Sequence, residues 1–119
     1  MDIEALMKAQ REFVGERDWD KFHSPKNLAM SLMIEAGELG ELFQWASAED
    51  SQKIMSDPKQ AAKVRDELAD VFFYVLRLSD KLGIPLDEAF HAKMKKNAER
   101  YPAEWSKGHA TKYTERPGQ

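Results

Sequence analysis

Leu28-Ala-Met-Ser-Leu-Met-Ile-Glu-Ala-Gly-Glu-Leu-Gly-Glu-Leu-Phe-Gln-Trp45 reads as an apolar helix that carries acids three residues apart, Glu35 and Glu38. A second stretch, Glu67-Leu-Ala-Asp-Val-Phe-Phe-Tyr-Val-Leu76, repeats the arrangement with Glu67 and Asp70. At about 100° per residue, positions three apart lie roughly 60° apart around a helix and about one turn along it, so each pair points both carboxylates the same way. Two such clamps set in apolar helices predict an all-α fold in which two facing helices bring four carboxylates together.

Four carboxylates against apolar surroundings repel one another and lose hydration, and they protonate unless a cation compensates them. The chain has no cysteine, so disulfides, thiol catalysis and thiolate metal sites are excluded, and a metal must be held by oxygen or imidazole. Hard oxygen donors favour Mg²⁺, with Mn²⁺ as a substitute, over Zn²⁺. Acids at i and i+3 most often decorate a solvated helix face. The second pair, with the same polarity and apolar embedding, argues for a metal site here. Glu41 lies one further step along the same face and is either an exposed helix acid or the residue that completes the cluster and orients an attacking water.

Outward from these stretches the chain reads as four helices. Ile3, Leu6, Met7, Phe13 and Val14 keep a helical period and predict a helix over about 2–16. Arg17 to His23 breaks that period as a loop. Ser24 with Pro25 caps and opens the helix that carries Glu35, Glu38 and Glu41 to about Trp45. Ala46 to Asp57 is polar, with room for a short helix around Gln52. Asp57 with Pro58 opens a long helix that Gly83 closes and Pro85 keeps closed. Its middle, Val71 to Leu78, is apolar on more than one face, which suggests burial on several sides and hence more than one copy of the chain. A last helix runs from about Leu86 to Tyr101, and 102–119 is an irregular tail. The expectation is a single domain over 1–119, built as a four-helix bundle.

Apolar residues make up 42% of the 119 and charged residues 33%, the balance of an ordered helical protein rather than a disordered one. No run reaches the ~18 uninterrupted apolar residues of a membrane span, and the N-terminus resembles neither a signal nor a transit peptide. A cytoplasmic protein without a membrane partner is expected. The net charge of −3 argues against nucleic acid as the partner, but it is unevenly spread. Residues 1–90 carry −7 and 91–119 carry +4, which suits a ligand that needs both a cation and direct phosphate contacts.

Two metal ions on shared carboxylates can position a phosphate chain, polarise phosphorus and lower the pKa of a bound water. Trp19, Phe22 and His23 cluster in the first loop and Trp45 ends the first acidic helix; such rings either cap a core or stack on a nucleobase. Lys93, Lys96, Arg100, Lys107 and Lys112 are ordinary helix or tail charges that could also meet phosphates. Glu88-Ala-Phe-His91 matches the Glu-x-x-His motif of di-iron bundles. That architecture needs two such motifs and the chain has one, so His91 reads as a surface or packing residue.

With these residues placed, the chain resembles the MazG-like all-α nucleoside triphosphate pyrophosphohydrolases, and within them the members that act on dCTP. The resemblance is carried by Glu16-Arg-Asp-Trp-Asp-Lys-Phe-His-Ser-Pro-Lys-Asn-Leu28, Glu35 to Trp45, Glu67-Leu-Ala-Asp-Val71, Lys93-Met94 with Asn97, Arg100-Tyr-Pro102 and Lys112-Tyr-Thr-Glu115. It implies metal binding by Glu35, Glu38, Glu67 and Asp70, and cleavage between the α and β phosphates to give a monophosphate and pyrophosphate. It further implies that Trp19, His23, Trp45 and Tyr74 surround base and sugar, with Lys93 and Asn97 near sugar and phosphates. Lys112 and Tyr113 fall in the tail motif, on the phosphate side. It also implies a homodimer or homotetramer with sites at subunit interfaces. One departure stands out: Gln10 occupies a position where the resemblance leads one to expect His, on the helix leading to the base pocket. Gln still donates and accepts hydrogen bonds.

The expectation is therefore a Mg²⁺-dependent nucleoside triphosphate pyrophosphohydrolase acting on dCTP or modified dCTP, a sanitiser of the nucleotide pool, with Glu38 or Glu41 as general base. The competing reading is a non-catalytic helical oligomer that binds a nucleotide or a protein partner.

Overall fold

A computed structural model of the chain describes residues 1–110 and 112–115. Those residues are helical throughout their ordered elements, with no strand among them: α1 Ile3–Glu16, α2 Pro25–Glu41, α3 Ala48–Ser51, α4 Pro58–Leu82, α5 Leu86–Arg100 and α6 Ala103–Ser106. Three 3₁₀ turns, Asp20–Phe22, Ile54–Ser56 and Tyr113–Glu115, lie between or after them. The fold is all-α. No helix among the described residues is long and apolar enough to cross a membrane.

Local chemistry explains where the helices begin. Asp2 Oδ1 accepts from the Ala5 N–H at 3.0 Å, Ser24 Oγ from Asn27 at 3.2 Å and Ser47 Oγ from Asp50 at 3.0 Å. Asp57 Oδ1 accepts from Lys59 at 3.0 Å and Gln60 at 3.5 Å. Each satisfies first-turn donors that have no partner within the helix. Pro25 and Pro58 occupy the first helical position, where a missing N–H costs nothing. Gly83 ends α4 at φ 66°, and the Ile84 N–H returns to the Ser79 carbonyl at 2.9 Å. The helix expected to reach Trp45 stops at Glu41. From Leu42 the N–H groups bond three residues back instead of four, Leu42 to Leu39 at 3.2 Å and Phe43 to Gly40 at 3.0 Å, which tightens the chain into turns.

The chain forms two compact units, Met1–Ile84 and Pro85–Gln119. In the first, α2 packs along α4 in the most extensive contact, and α1 and the Ile54–Ser56 turn also lie on α4. Its core is Met7 and Val14 from α1, Leu28 from α2 and Ala61 and Leu76 from α4. In the second, α5 ends before Pro102, which has no N–H to continue it. The tail read as irregular contains α6, and Trp105 on it stacks on Tyr101, with centroids 6.3 Å apart and an interplanar angle of 26°.

Candidate active site

The α2–α4 contact sets the first acidic pair beside the second. One carboxylate oxygen from each of Glu35, Glu38 and Glu67 lies within 4.8 Å of the others. Asp70, exposed on α4, stands outside that triplet but its charge acts on both Glu35 and Glu67. Glu41 is exposed at the last position of α2 and outside the triplet.

Burial foremost, then contacts with Glu38 and Glu67 and the charges of Glu38 and Asp70, push the Glu35 carboxyl from 4.5 up to about 7. Glu67 is raised as well, again chiefly by burial. The contact between the two raises Glu35 and lowers Glu67. Glu35 Oε2 and Glu67 Oε2 are buried with no hydrogen-bond partner. Two unsatisfied acceptors in an all-oxygen donor set fit a hard divalent cation, which would replace the proton and satisfy both.

About one turn further along α4 from Asp70 begins a chain of rings. After α1 the chain reverses through Asp18, at φ 53°, a conformation Asp tolerates better than most residues. The Trp19 N–H then donates to the Val14 carbonyl at 3.1 Å. That reversal sets Trp19 edge-on to Phe13 at 5.6 Å, Phe13 to Phe73 at 6.2 Å and Phe73 to Tyr74 at 5.3 Å. Tyr74 is half-buried, whereas Trp45, in the turns after α2, is 90% exposed. Gln10, 6% exposed on α1, donates from Nε2 to the Phe73 carbonyl at 2.8 Å, and its Oε1 is buried without a partner.

Sequence reasoning missed the ion network at the other end of α4. Arg77 lies inside the apolar run Val71–Leu78 and is 4% exposed. It donates from Nη2 to Asp20 Oδ1 at 2.5 Å, from Nη1 to Asp80 Oδ2 at 3.4 Å and from Nε to His23 Nδ1 at 3.0 Å. Arg11 grips Asp80 with two bonds, 2.8 and 2.6 Å, and Lys81 Nζ lies 2.6 Å from Asp20. A cavity of about 440 Å³ opens over these groups, with Val14 and Gly15 also in its wall. The available signal was the lone Arg in an apolar helix face, a charge that must find a partner if the face is buried. His23 is held below its ordinary pKa by burial first and then by the Arg77 and Lys81 charges, which Asp20 opposes.

The remaining expected site residues belong to the second unit. Lys93 is exposed and Asn97 half-buried on α5, with His91 exposed on the same helix. Lys112 is exposed. Tyr113 begins the last 3₁₀ turn, its side chain outside what is described, as are Thr111 and residues 116–119 of the expected tail.

A sequence model of the MazG-like family matches residues 30–115. Mouse dCTP pyrophosphatase 1 is 41% identical over 115 residues, spanning 97% of this chain and 68% of the mouse protein. The human dCTP pyrophosphatase 1 is 38% identical over the same spans. The crystal structure of a pyrophosphatase from Archaeoglobus fulgidus superposes with a TM-score of 0.78 at 42% identity, covering 83% of this chain and 91% of that one.

Proposed function

The chain belongs to the MazG-like family, and from that premise we propose that it is a nucleoside triphosphate pyrophosphohydrolase of the dCTP pyrophosphatase type. It takes dCTP or a base-modified dCTP and water to the monophosphate and pyrophosphate, cleansing the nucleotide pool. The observation that carries the reading is the Glu35–Glu38–Glu67 triplet with two buried, unpartnered oxygens.

Glu35, Glu38, Glu67 and Asp70 would hold Mg²⁺. When bound, the cation supplies neutralisation of the triphosphate charge and polarisation of the phosphorus under attack. The chain's own acids do the rest. Glu38, the exposed member of the triplet, or Glu41 takes the proton of the attacking water. The bond between the α-phosphoryl group and pyrophosphate breaks as the new phosphorus–oxygen bond forms.

Trp19, Tyr74, His23 and Trp45 serve base and sugar, and Lys93, Asn97, Lys112 and Tyr113 the sugar and phosphates. Gln10 supports a cytosine preference. Because Nε2 is committed to the Phe73 carbonyl, Oε1 remains an acceptor, which matches an exocyclic amino group and not the carbonyl of uracil or thymine.

A single functional domain over 1–119 would work as more than one copy, with a second copy covering the apolar faces of α2 and α4 in a homodimer or homotetramer. Met33, Ile34 and Leu68 are 59%, 56% and 56% exposed, and a cavity of about 510 Å³ between Met1 and the Leu68–Val75 face of α4 is almost wholly apolar. The absence of cysteine suits the cytoplasm.

The test is Mg²⁺-dependent pyrophosphate release from dCTP, 5-methyl-dCTP, dUTP, dTTP and dATP. Release from the cytosine nucleotides at the highest kcat/KM is expected. No release from any of them by folded protein would leave the non-catalytic oligomer as the better reading.

A further inference from the structure

Arg77 makes one contact more than a structural staple needs. The bond to Asp20 already ties the Asp20–Phe22 turn to α4, and Asp80 supplies a second anion that offsets burial of the guanidinium. The third contact runs from Nε to a neutral ring, His23 Nδ1 at 3.0 Å. A guanidinium has only donors. Nδ1 must therefore carry a lone pair, which an imidazolium lacks, and the ring proton must sit on Nε2. Nε2 takes no partner among the described residues.

We infer that Arg77 is a positioning residue for the nucleotide: by donating to Nδ1 it fixes His23 as the Nε2–H tautomer and presents that N–H to an acceptor oxygen of the substrate. The inference rests on the placement of His23 in the nucleotide site proposed above. The charged groups that bear on His23 are Arg77 and Lys81 from α4 and Asp20 from the turn, with Asp80 and Arg11 fixing Arg77 in turn. Protonating the ring would break the Arg77 contact and set a third cation beside Arg77 and Lys81, with Asp20 alone in favour. The donor is thus held neutral and correctly faced before substrate arrives, so less ordering is left to binding.

The first test uses the unaltered full chain. Long-range ¹H–¹⁵N correlation of the imidazole at pH 7.5 should show His23 with Nδ1 unprotonated and Nε2 protonated, and charging at lower pH than a free imidazole. Added dCTP should shift the Nε2 resonance. An Nδ1–H tautomer, a mixture, or an Nε2 signal indifferent to dCTP overturns the inference whether or not the protein turns over, so it fails separately from the enzymatic reading.

The second test is kinetic. Arg77→Lys keeps a cation between Asp20 and Asp80 but cannot reach three partners; it should raise KM about 5- to 10-fold with kcat within about twofold. His23→Gln removes the ring that Arg77 orients, so it should raise KM itself and make Arg77→Lys silent in the double variant. An equal KM penalty in both backgrounds means Arg77 acts by another route. A penalty shared by dCTP and dATP assigns the oxygen to sugar or phosphate, and one confined to pyrimidine nucleotides assigns it to the base carbonyl.

Discussion

Glu35 on α2 and Glu67 on α4 meet across the helix interface with one buried, unpartnered carboxylate oxygen each. α4 carries at least as many cations as acids along its length, and only α2 is acidic in excess. The packing of α2 on α4 alone makes two acids neighbours, and the result is a carboxyl on Glu35 raised to about 7.

That shift has a sign. A carboxyl whose folded pKa is raised binds more protons folded than unfolded, so its contribution to stability is full below about 4.5 and is lost as pH rises towards about 7. Metal-free protein should lose Tm across that window, and Mg²⁺ should raise Tm more at pH 7.5 than at pH 5. Differential scanning fluorimetry at both pH values checks this; equal metal shifts would contradict it. Asp20 and Asp80, both lowered by their cationic partners, act in a separate window, losing stability as pH falls below the ordinary carboxylate range.

Glu38→Gln should lower kcat at least about 100-fold while the fold is kept, because the exposed member of the triplet loses the charge needed to bind the cation or take a proton. Glu35→Gln removes repulsion from the metal-free cluster. It should raise the metal-free Tm at pH 7.5 and abolish the Mg²⁺-dependent increase. Near-normal turnover in Glu38→Gln would refute the assignment.

Asp80 and Asp20 both pair with Arg77, but their side chains are 15% and 63% exposed. Water replaces Asp20 more readily than Asp80. Asp80→Asn should lower Tm by about 5–10 °C, and Asp20→Asn by clearly less. Thermal melts that reverse this order would show that the network is not centred on the buried guanidinium.

Gln10→Leu removes a buried acceptor that has no partner and a donor to a carbonyl already within a helix. Its effect on stability should stay within about 1 kcal/mol. Base selection should suffer instead, with the kcat/KM ratio of dCTP over dUTP falling about tenfold. An unchanged ratio would remove Gln10 from the base site.

Leu68→Arg places a charge on the exposed apolar face of α4. Sedimentation should show the parent as more than one copy and the variant shifted towards the single chain. If both sediment alike, the second copy sits elsewhere.

The helix starts at Pro25 and Pro58, the stop at Gly83 and the two acidic pairs were legible because caps and i, i+3 spacing act over one turn of chain. The helix that ends at Glu41 instead of Trp45 was not, since the switch to tighter turns has no comparably strong residue signal. Which acids meet was only partly legible: both pairs were visible, but their depth and rotation against one another depend on packing, which put Glu67 in the triplet and left Asp70 outside it.

The sequence by itself determined an all-α chain with acids set into apolar helices, because periodicity and capping are local. Tertiary structure alone decided the partners of Arg77. Asp20 and His23 lie 57 and 54 residues away, and Arg11 reaches Asp80 across 69. A charge in an apolar run announces that it needs an opposite charge, but only the packing of α1 and its following turn against α4 chooses which one, because desolvation makes that choice in three dimensions.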